Sequence, residues 1–497
     1  MGKLSELKAK LSATLGEIRE NEKDPEKMKL KEYVGFALGK LCYESIKKMS
    51  SDYLNNYYLA KGIQPAAAGV ILSTQKMYDS INDPIVATII DGRKNTKNGR
   101  FKPFLAKLVP ILALTSVAMF TIPSLNDPTA MFAWCFMTYM IWETINTFSG
   151  ISFDAISTVM SADPQERTLY TTIGNIGGQL AGMVPGLIPA VFPLLTKPQA
   201  EGGLVGMSQA SFYTVCAIIF AVIGGVAGMY TKNLKERIQP PKKNEHFWEN
   251  FVLFFKNKEL VHIWSTDIPQ LISSAAAPAT AQFYIHTLGN YGYQAIQWAL
   301  AGAPRILAQV FAPFFIKRFR PSRIVFWTTM AAGLCNLVMY PLVKAAGYTS
   351  FWGVAFVLFF ATVGWIPTGI GDIAKRILQM NTFDYTAAKT GKRAEATSLM
   401  MTGMMSKWLW AAAALVGGFA MQYFKFQPDI AGVMQAQSQF TKDGLFFIFS
   451  IFPAVGNILG ALPMLFFKLE GPEFERRMAE LGAVNAAVEE EKEQIAE

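Results

Sequence analysis

Twelve apolar runs of membrane-spanning length leave this chain little choice of fold. They lie at 34–60, 66–90, 104–123, 131–160, 171–195, 209–230, 260–287, 293–316, 323–345, 350–380, 397–424 and 444–467, and a hydrocarbon core demands roughly twenty residues per crossing. Inside hydrocarbon the backbone must pair its own N–H and C=O groups, so such runs fold as helices. The expected fold class is an all-α membrane protein with twelve transmembrane helices. Composition agrees, since 51% of the 497 residues are apolar and only 17% charged, too apolar for a soluble enzyme of this size. The net charge of +9 would suit nucleic acid, but the basic residues concentrate in short loops between apolar runs, which is the pattern of membrane orientation. No nucleic-acid partner is expected; the partner is the lipid bilayer.

The distribution of Lys and Arg then sets the orientation. Loop 91–102 carries Arg93, Lys94, Lys97, Arg100 and Lys102, segment 231–258 carries seven basic residues, and loop 317–323 carries Lys317, Arg318, Arg320 and Arg323, whereas loops 122–130 and 288–292 carry none. Both termini are therefore expected on the cytoplasmic side of the cell (inner) membrane. The basic loop after the second run returns as KRFRPSR after the eighth, and ADPQERT after the fourth corresponds to DYTAAKTGKRAEAT after the tenth. The twelve helices thus divide into two six-helix pseudo-repeats. The expected organisation is a cytoplasmic amphipathic segment at 1–32, a first half at 33–230, a linker at 231–258, a second half at 259–468 and a cytoplasmic tail at 469–497. The first 32 residues alternate basic and acidic side chains with no apolar signal region.

One stretch carries chemistry: YDSINDPIVATIIDGRKNTKNGRFKP, residues 78–103. Asp79 and Asp83 lie inside its apolar helix, and at 1.5 Å per residue Asp83 is roughly 12 Å from the charged loop, towards the middle of a core ~30 Å thick. Residues four apart share a helix face, so the two carboxylates point into one space and need a cation or a proton between them. Asn82, and a backbone carbonyl freed by Pro84, add oxygens of the kind that hard cations bind. Four cysteines sit singly inside apolar runs and three histidines are scattered, so neither a disulfide framework nor a catalytic or metal cluster is expected.

Three segments, the one just quoted, ADPQERT after the fourth span and NTFDYTAAKTGKRAEA after the tenth, resemble those of the glycoside-pentoside-hexuronide:cation symporters, the family of the melibiose carrier. The resemblance runs from about Lys31 to Leu469. It implies the major facilitator fold and coupled import of a sugar, glycoside or hexuronide with Na⁺, Li⁺ or H⁺, with no further cofactor and no enzymatic activity. Family members hold the cation on residues that correspond to Asp79, Asp83 and Thr147, and carry a lysine on the eleventh span that corresponds to Lys407. The galactoside contacts depart from the family pattern: its first-span lysine–aspartate pair reads Lys40-Leu41, its fourth-span aspartate and tryptophan fall at Gly150 and Asp154, and its fifth-span arginine is Asn175.

The first span instead carries Glu44, Lys47, Lys48 and Asp52. Helical spacing pairs Glu44 with Lys47 or Lys48 and Lys48 with Asp52. Together with Glu143, Asp154, Asn175 and Lys407 these charges are the expected substrate side, with Tyr53, Asn55 and Asn56 available to hydroxyls. Trp142, Trp365 and Trp408 are candidates for stacking on a sugar ring, although packing is the commoner role of tryptophan. In the basic loops Arg100, Arg167 and Arg393 are expected to pair with Asp91, Asp163 and Asp384 as a cytoplasmic gate. The protein is expected to act as a monomer. Two rival functions remain: a lysolipid or other amphiphile symporter of the same superfamily, and a membrane sugar sensor that does not transport.

Overall fold

The structure is a computed structural model that describes residues 27–92, 99–125, 127–161, 163–196, 206–238, 258–390, 395–430 and 433–480. Arg393 lies outside the described residues, as do the side chains of Asp91, Arg167 and Asn175. The α-helices among the described residues are α1 (Leu30–Ala60), α2 (Pro65–Gly92), α3 (Lys102–Met119), α4 (Pro128–Val159), α5 (Pro164–Met183), α6 (Ile188–Leu195), α7 (Gln209–Gly228) and α8 (Lys258–Ser265). They continue as α9 (Asp267–Ser274), α10 (Ala277–Gln282), α11 (Gly292–Arg318), α12 (Pro321–Ala346), α13 (Phe351–Trp365), α14 (Thr368–Thr390), α15 (Glu395–Tyr423) and α16 (Gln439–Ala461). Several breaks between them are only local. Val184, Leu187, Thr266, Ala275, Ala276 and Ile366 at the joints all keep right-handed helical backbone angles. Thus α5 with α6, α8 through α10 with one π-helical turn at Phe283–Thr287, and α13 with α14 each form one broken rod. Joined this way the elements make twelve consecutive rods, seven of them long and apolar enough to cross a membrane. The remaining rods include α1 and α2, which carry buried and cavity-facing charges.

Helix ends show how the two halves repeat. At the end away from the basic loops, helices begin on their own short polar caps: Asp127 accepts from Thr129 N and Ala130 N, Ser208 from Ser211 N, Ser350 from Gly353 N and Ser438 from Thr441 N. At the basic end, α3 and α12 begin on Phe101 and Arg320, which give no such side-chain bond. Each receives a carboxylate from beyond the sixth rod of its own half. Glu236 accepts from the backbone N–H groups of Arg100, Phe101 and Lys102, all at 2.7 Å, and Glu470 accepts from Ser322 N at 2.8 Å and from its hydroxyl. Four orphan donors and a positive dipole end make a helix N-terminus a natural seat for a carboxylate. Gly99, at φ +88°, lets the chain turn so close to Glu236 that an added Cβ would lie 2.4 Å from its carboxylate oxygen. Arg237 fastens the same segment, pairing with buried Glu32 at 2.8 Å and bonding the carbonyls of Lys27 and Met160.

The halves meet mainly along α2 and α15, which run antiparallel. Their backbones touch at Gly69 and Gly418: a Cβ on Gly69 would come within 2.7 Å of the Ala414 carbonyl, and one on Gly418 within 2.6 Å of that of Pro65. Small residues permit this close approach, which in a bilayer substitutes for a hydrophobic driving force between helices. Further interhalf bonds close the end away from the basic loops. There Asn55 donates to the Pro278 carbonyl at 3.1 Å, Asn56 to the Tyr291 hydroxyl at 3.4 Å, and Asp429 N to the Leu59 carbonyl at 3.3 Å. Phe192 packs edge-on against Tyr291. These contacts correct the expectation for the first span: Asn55 and Asn56 join the halves, and Tyr53 donates to the Pro185 carbonyl at 2.7 Å.

Replacing Glu236 by alanine strands three backbone donors at the start of α3, with an expected loss of about 1–2 kcal/mol. Thermal unfolding in detergent should show a lowered Tm for Glu236→Ala, and likewise for Glu470→Ala; a Tm equal to wild type would mean that solvent caps these helices as well as the carboxylates do.

Candidate functional site

The site grows from the two faces of α2. Met77, Ile81, Ile85 and Ile89 recur every four residues and are the exposed face, 45–59% accessible, so the apolar side of this helix looks outward to lipid. Lys76, Asp79 and Asp83 point the other way, into a cavity of about 480 Å³ shared with α1, α4 and α15. Polar residues inside and apolar residues outside is the arrangement a membrane imposes on a helix that lines an aqueous chamber.

Asp79 is buried, and its carboxylate is held by three contacts: Lys76 Nζ at 2.7 Å on Oδ2 and the Tyr139 hydroxyl at 2.9 and 3.0 Å on its two oxygens. One turn on, Asp83 Oδ2 takes the ammonium of Lys407 at 2.6 Å and Oδ1 accepts from the Thr147 hydroxyl at 3.2 Å. Lys407 also reaches the Asp79 carbonyl at 3.4 Å. Lys407 belongs to α15 and Asp83 to α2, so this ion pair crosses the seam between the halves. Beside it, Trp408 donates to Ser80 at 2.9 Å, which makes this tryptophan a seam contact. Glu143, also buried, accepts from Asn146 at 3.3 and 3.2 Å and lies 3.4 Å from the Thr147 hydroxyl.

These contacts sort the residues singled out from sequence. Asp79, Asp83, Thr147 and Glu143 converge on one cavity. Lys407, expected beside the substrate, lines the same cavity and pairs there with Asp83. Asn82 turns its amide nitrogen to Thr147 Oγ1 at 2.9 Å while its oxygen accepts from Tyr78 at 3.3 Å, so it positions the threonine. Glu44 pairs with Lys40 at 3.6 Å rather than with Lys47 or Lys48, because Lys40 is also drawn in by Asp154 at 3.4 Å. Lys48 pairs with Asp52 at 2.7 Å, as the spacing predicts. Lys47 has no carboxylate partner among the described residues; its ammonium lies 5.6 Å from the centre of the Tyr43 ring and it lines the cavity. Arg100 is buried and donates from Nε to the Ile90 carbonyl at 3.0 Å, capping the last turn of α2.

Sequence reasoning missed Lys76. The signal was present, since Lys76 stands three residues before Asp79 on a helix face, the spacing at which opposite charges meet. It also missed four buried polar atoms that have no hydrogen-bond partner among the described residues and belong to cavity-lining side chains: Ser50 Oγ, Gln75 Oε1, Trp142 Nε1 and Asn146 Oδ1. A buried polar atom left without a partner costs about 1–3 kcal/mol, so this cavity is built to be filled by polar groups. Among the described residues no group of three or more His, Cys, Asp or Glu side chains is placed to hold a metal ion.

Two six-rod halves with an ion-paired polar cavity at their seam define a membrane transporter of the major facilitator architecture, not an enzyme. A point mutant of the nucleoside transporter NupG shares the fold, with a TM-score of 0.60 over 88% of this chain and 100% of its own at 14% identity. The uncharacterized symporter YjmB of Bacillus subtilis is 28% identical over 424 residues, 82% of this chain and 87% of its own. The glucuronide carrier protein homolog of Escherichia coli is 21% identical over 384 residues, 75% of this chain and 79% of its own. Residues 35–471 match the family described as MFS/sugar transport protein, and the chain belongs to that family.

Lys76→Met should leave the buried Asp79 carboxylate without its ammonium partner and lower stability, by less than the roughly 3–5 kcal/mol of a fully buried pair because Lys76 is 36% exposed. Adding Asp79→Asn should restore most of the loss. Chemical or thermal unfolding of both variants measures this, and a double variant as unstable as Lys76→Met alone would show that the lysine acts through packing.

Proposed function

We propose that the protein is a cation-coupled symporter that imports a sugar, glycoside or hexuronide by alternating access, with Na⁺, Li⁺ or H⁺ as the coupling ion. The observation that carries this reading is the Lys407–Asp83 pair across the interhalf seam. A cation or proton that reaches Asp83 competes with the ammonium at 2.6 Å and so weakens a bond that ties the halves together. Occupancy of the ion site thereby biases the arrangement of the halves, which is what coupling requires. Thr147 and Glu143 supply further oxygens at this point. The basic end is the cytoplasmic end in this reading, and the interhalf bonds of Asn55, Asn56 and Asp429 close the external end. Arg100, Arg167, Arg393, Asp163 and Asp384, with Asp91, form the gate at the cytoplasmic end.

The substrate enters the same cavity. Lys47 presents an ammonium there without a carboxylate partner among the described residues, and a relative of this chain is called a glucuronide carrier protein homolog. An acidic sugar that meets Lys47 gains a charge-assisted bond worth roughly 1.5–3 kcal/mol.

Asp83→Cys and Asp79→Cys should each abolish cation-stimulated uptake of methyl β-D-glucuronide into proteoliposomes, because a neutral thiol cannot replace a carboxylate ligand. Undiminished ion-driven accumulation in either would sink the ion-site assignment. For the substrate, Lys47→Gln should weaken methyl β-D-glucuronide about tenfold to a hundredfold relative to methyl β-D-glucoside, while Lys48→Gln, which removes only the Asp52 pair, should affect the two ligands alike. Isothermal titration decides it: equal losses on Lys47→Gln would mean that the cavity favours a neutral glycoside.

A further inference from the structure

Asp79 and Asp83 stand one turn apart on α2, yet their surroundings differ. The Asp79 side chain is 2% exposed and that of Asp83 39%. Asp79 is sealed by the Lys76 ammonium and by Tyr139, whose hydroxyl Lys76 also reaches at 3.1 Å, so about three of its four acceptor positions are taken. An ion arriving from the cavity finds Asp83 open and Asp79 already holding a cation that belongs to the chain. Charge points the same way. Lys76 and Lys407 match Asp79 and Asp83 in number, and a further positive charge shared by the two aspartates would have no counterpart.

The surplus carboxylate is Glu143. It is buried and forms no ion pair among the described residues; its bonds are to Asn146 and Thr147. A buried carboxylate is costly unless a positive group meets it. The Thr147 hydroxyl lies 3.2 Å from Asp83 Oδ1 and 3.4 Å from Glu143 Oε1, and with one hydrogen it serves one of them at a time. Asn146, 6% exposed, sets its amide nitrogen on Glu143 and leaves its amide oxygen without a partner among the described residues. All four side chains line the same cavity. Carboxylate, hydroxyl and amide oxygens in one contiguous group, with negative charge in surplus, are what a hard cation binds. We infer that the ion site is built from Asp83, Thr147, Glu143 and the Asn146 amide oxygen and takes Na⁺ or Li⁺, while Lys76 stands beside Asp79 as a permanent internal cation. This departs from the two-aspartate site that the family resemblance implies; it rests on the cation-coupled reading and deepens it. On this assignment the loss expected of Asp79→Cys comes from the stranded Lys76 ammonium, which repels the ion.

The test is isothermal titration of Na⁺ and of Li⁺ into the purified full chain, with the ion-induced rise in Tm as a second readout. Wild type is expected to bind at least one of the two. Glu143→Gln should weaken that ion by about tenfold or more, while its ion-free Tm stays at or above that of wild type, because a buried carboxylate without an ammonium is removed. Asn146→Ala should weaken the ion several-fold. Lys76→Met/Asp79→Asn, which removes the internal pair whole, should keep the ion affinity within about threefold of wild type, since replacing both members of a pair leaves no charge stranded. Undiminished affinity in Glu143→Gln or Asn146→Ala, a double variant that loses the ion as fully as Glu143→Gln, or a wild type that binds neither Na⁺ nor Li⁺ would overturn the relocated site. Each of these leaves symport standing where a proton or ion gradient still drives uptake; uptake that no Na⁺, Li⁺ or H⁺ gradient accelerates would overturn the coupled reading itself.

Discussion

A charge inside a membrane protein is stabilised by a partner or by a polar cavity, and at the centre of this molecule the partner of one half belongs to the other. Desolvating an ammonium or a carboxylate costs several kcal/mol even after relaxation. Lys407 and Asp83 offset that penalty for each other. The pair crosses the seam, so whatever competes for Asp83 acts on the contact between the halves. The neighbouring pair, Lys76 with Asp79, lies within α2 and is closed further by Tyr139; it is fixed in one half and does not report on the seam. Of the two aspartates, then, one is paired within its own helix and one across the seam.

The scaffold around this pair is organised so that each half stays whole while the seam changes. Carboxylates from beyond the sixth rod, Glu236 and Glu470, clamp the third rod of their own half, and Arg237 binds the first. None of these bonds crosses to the other half. At the end away from the basic loops the halves are joined by single hydrogen bonds from Asn55, Asn56 and the Asp429 backbone, each worth about 1 kcal/mol net, and by the Phe192–Tyr291 ring contact. Clamps confined to each half, with single hydrogen bonds between the halves at the end away from the basic loops, suit two bodies that rock about a common site.

Much of this was legible in the sequence because a membrane amplifies simple signals. Apolar length gave the rods, loop charge suggested their orientation, and two aspartates four apart in an apolar helix marked the cavity. Helical spacing also gave the Lys48–Asp52 pair, and would have given Lys76–Asp79 had Lys76 been weighed as a charge rather than absorbed into an apolar run. What spacing cannot give is a partner from another helix. Glu44 has several lysines in reach along α1, and its choice of Lys40 depends on Asp154, over a hundred residues away. Lys407 reads as a lone lysine on the eleventh span until α15 is laid against α2. Asn55 and Asn56 look like sugar ligands in isolation, and only the approach of the second half turns them into clasps.

The cavity is lined by three ammonium groups, Lys47, Lys76 and Lys407, and three carboxyl groups, Asp79, Asp83 and Glu143, so its formal charge is zero when all six are ionised. A monovalent cation together with a uronate leaves it at zero, whereas the same cation with a neutral sugar makes it +1. Membrane voltage acts on a moving charge with about 2.3 kcal/mol per elementary charge per 100 mV. With an acidic substrate, therefore, both the loaded and the empty carrier reorient unaffected by voltage through these groups, and accumulation follows the two concentration gradients alone; with a neutral one, the membrane potential itself pulls the loaded form inward.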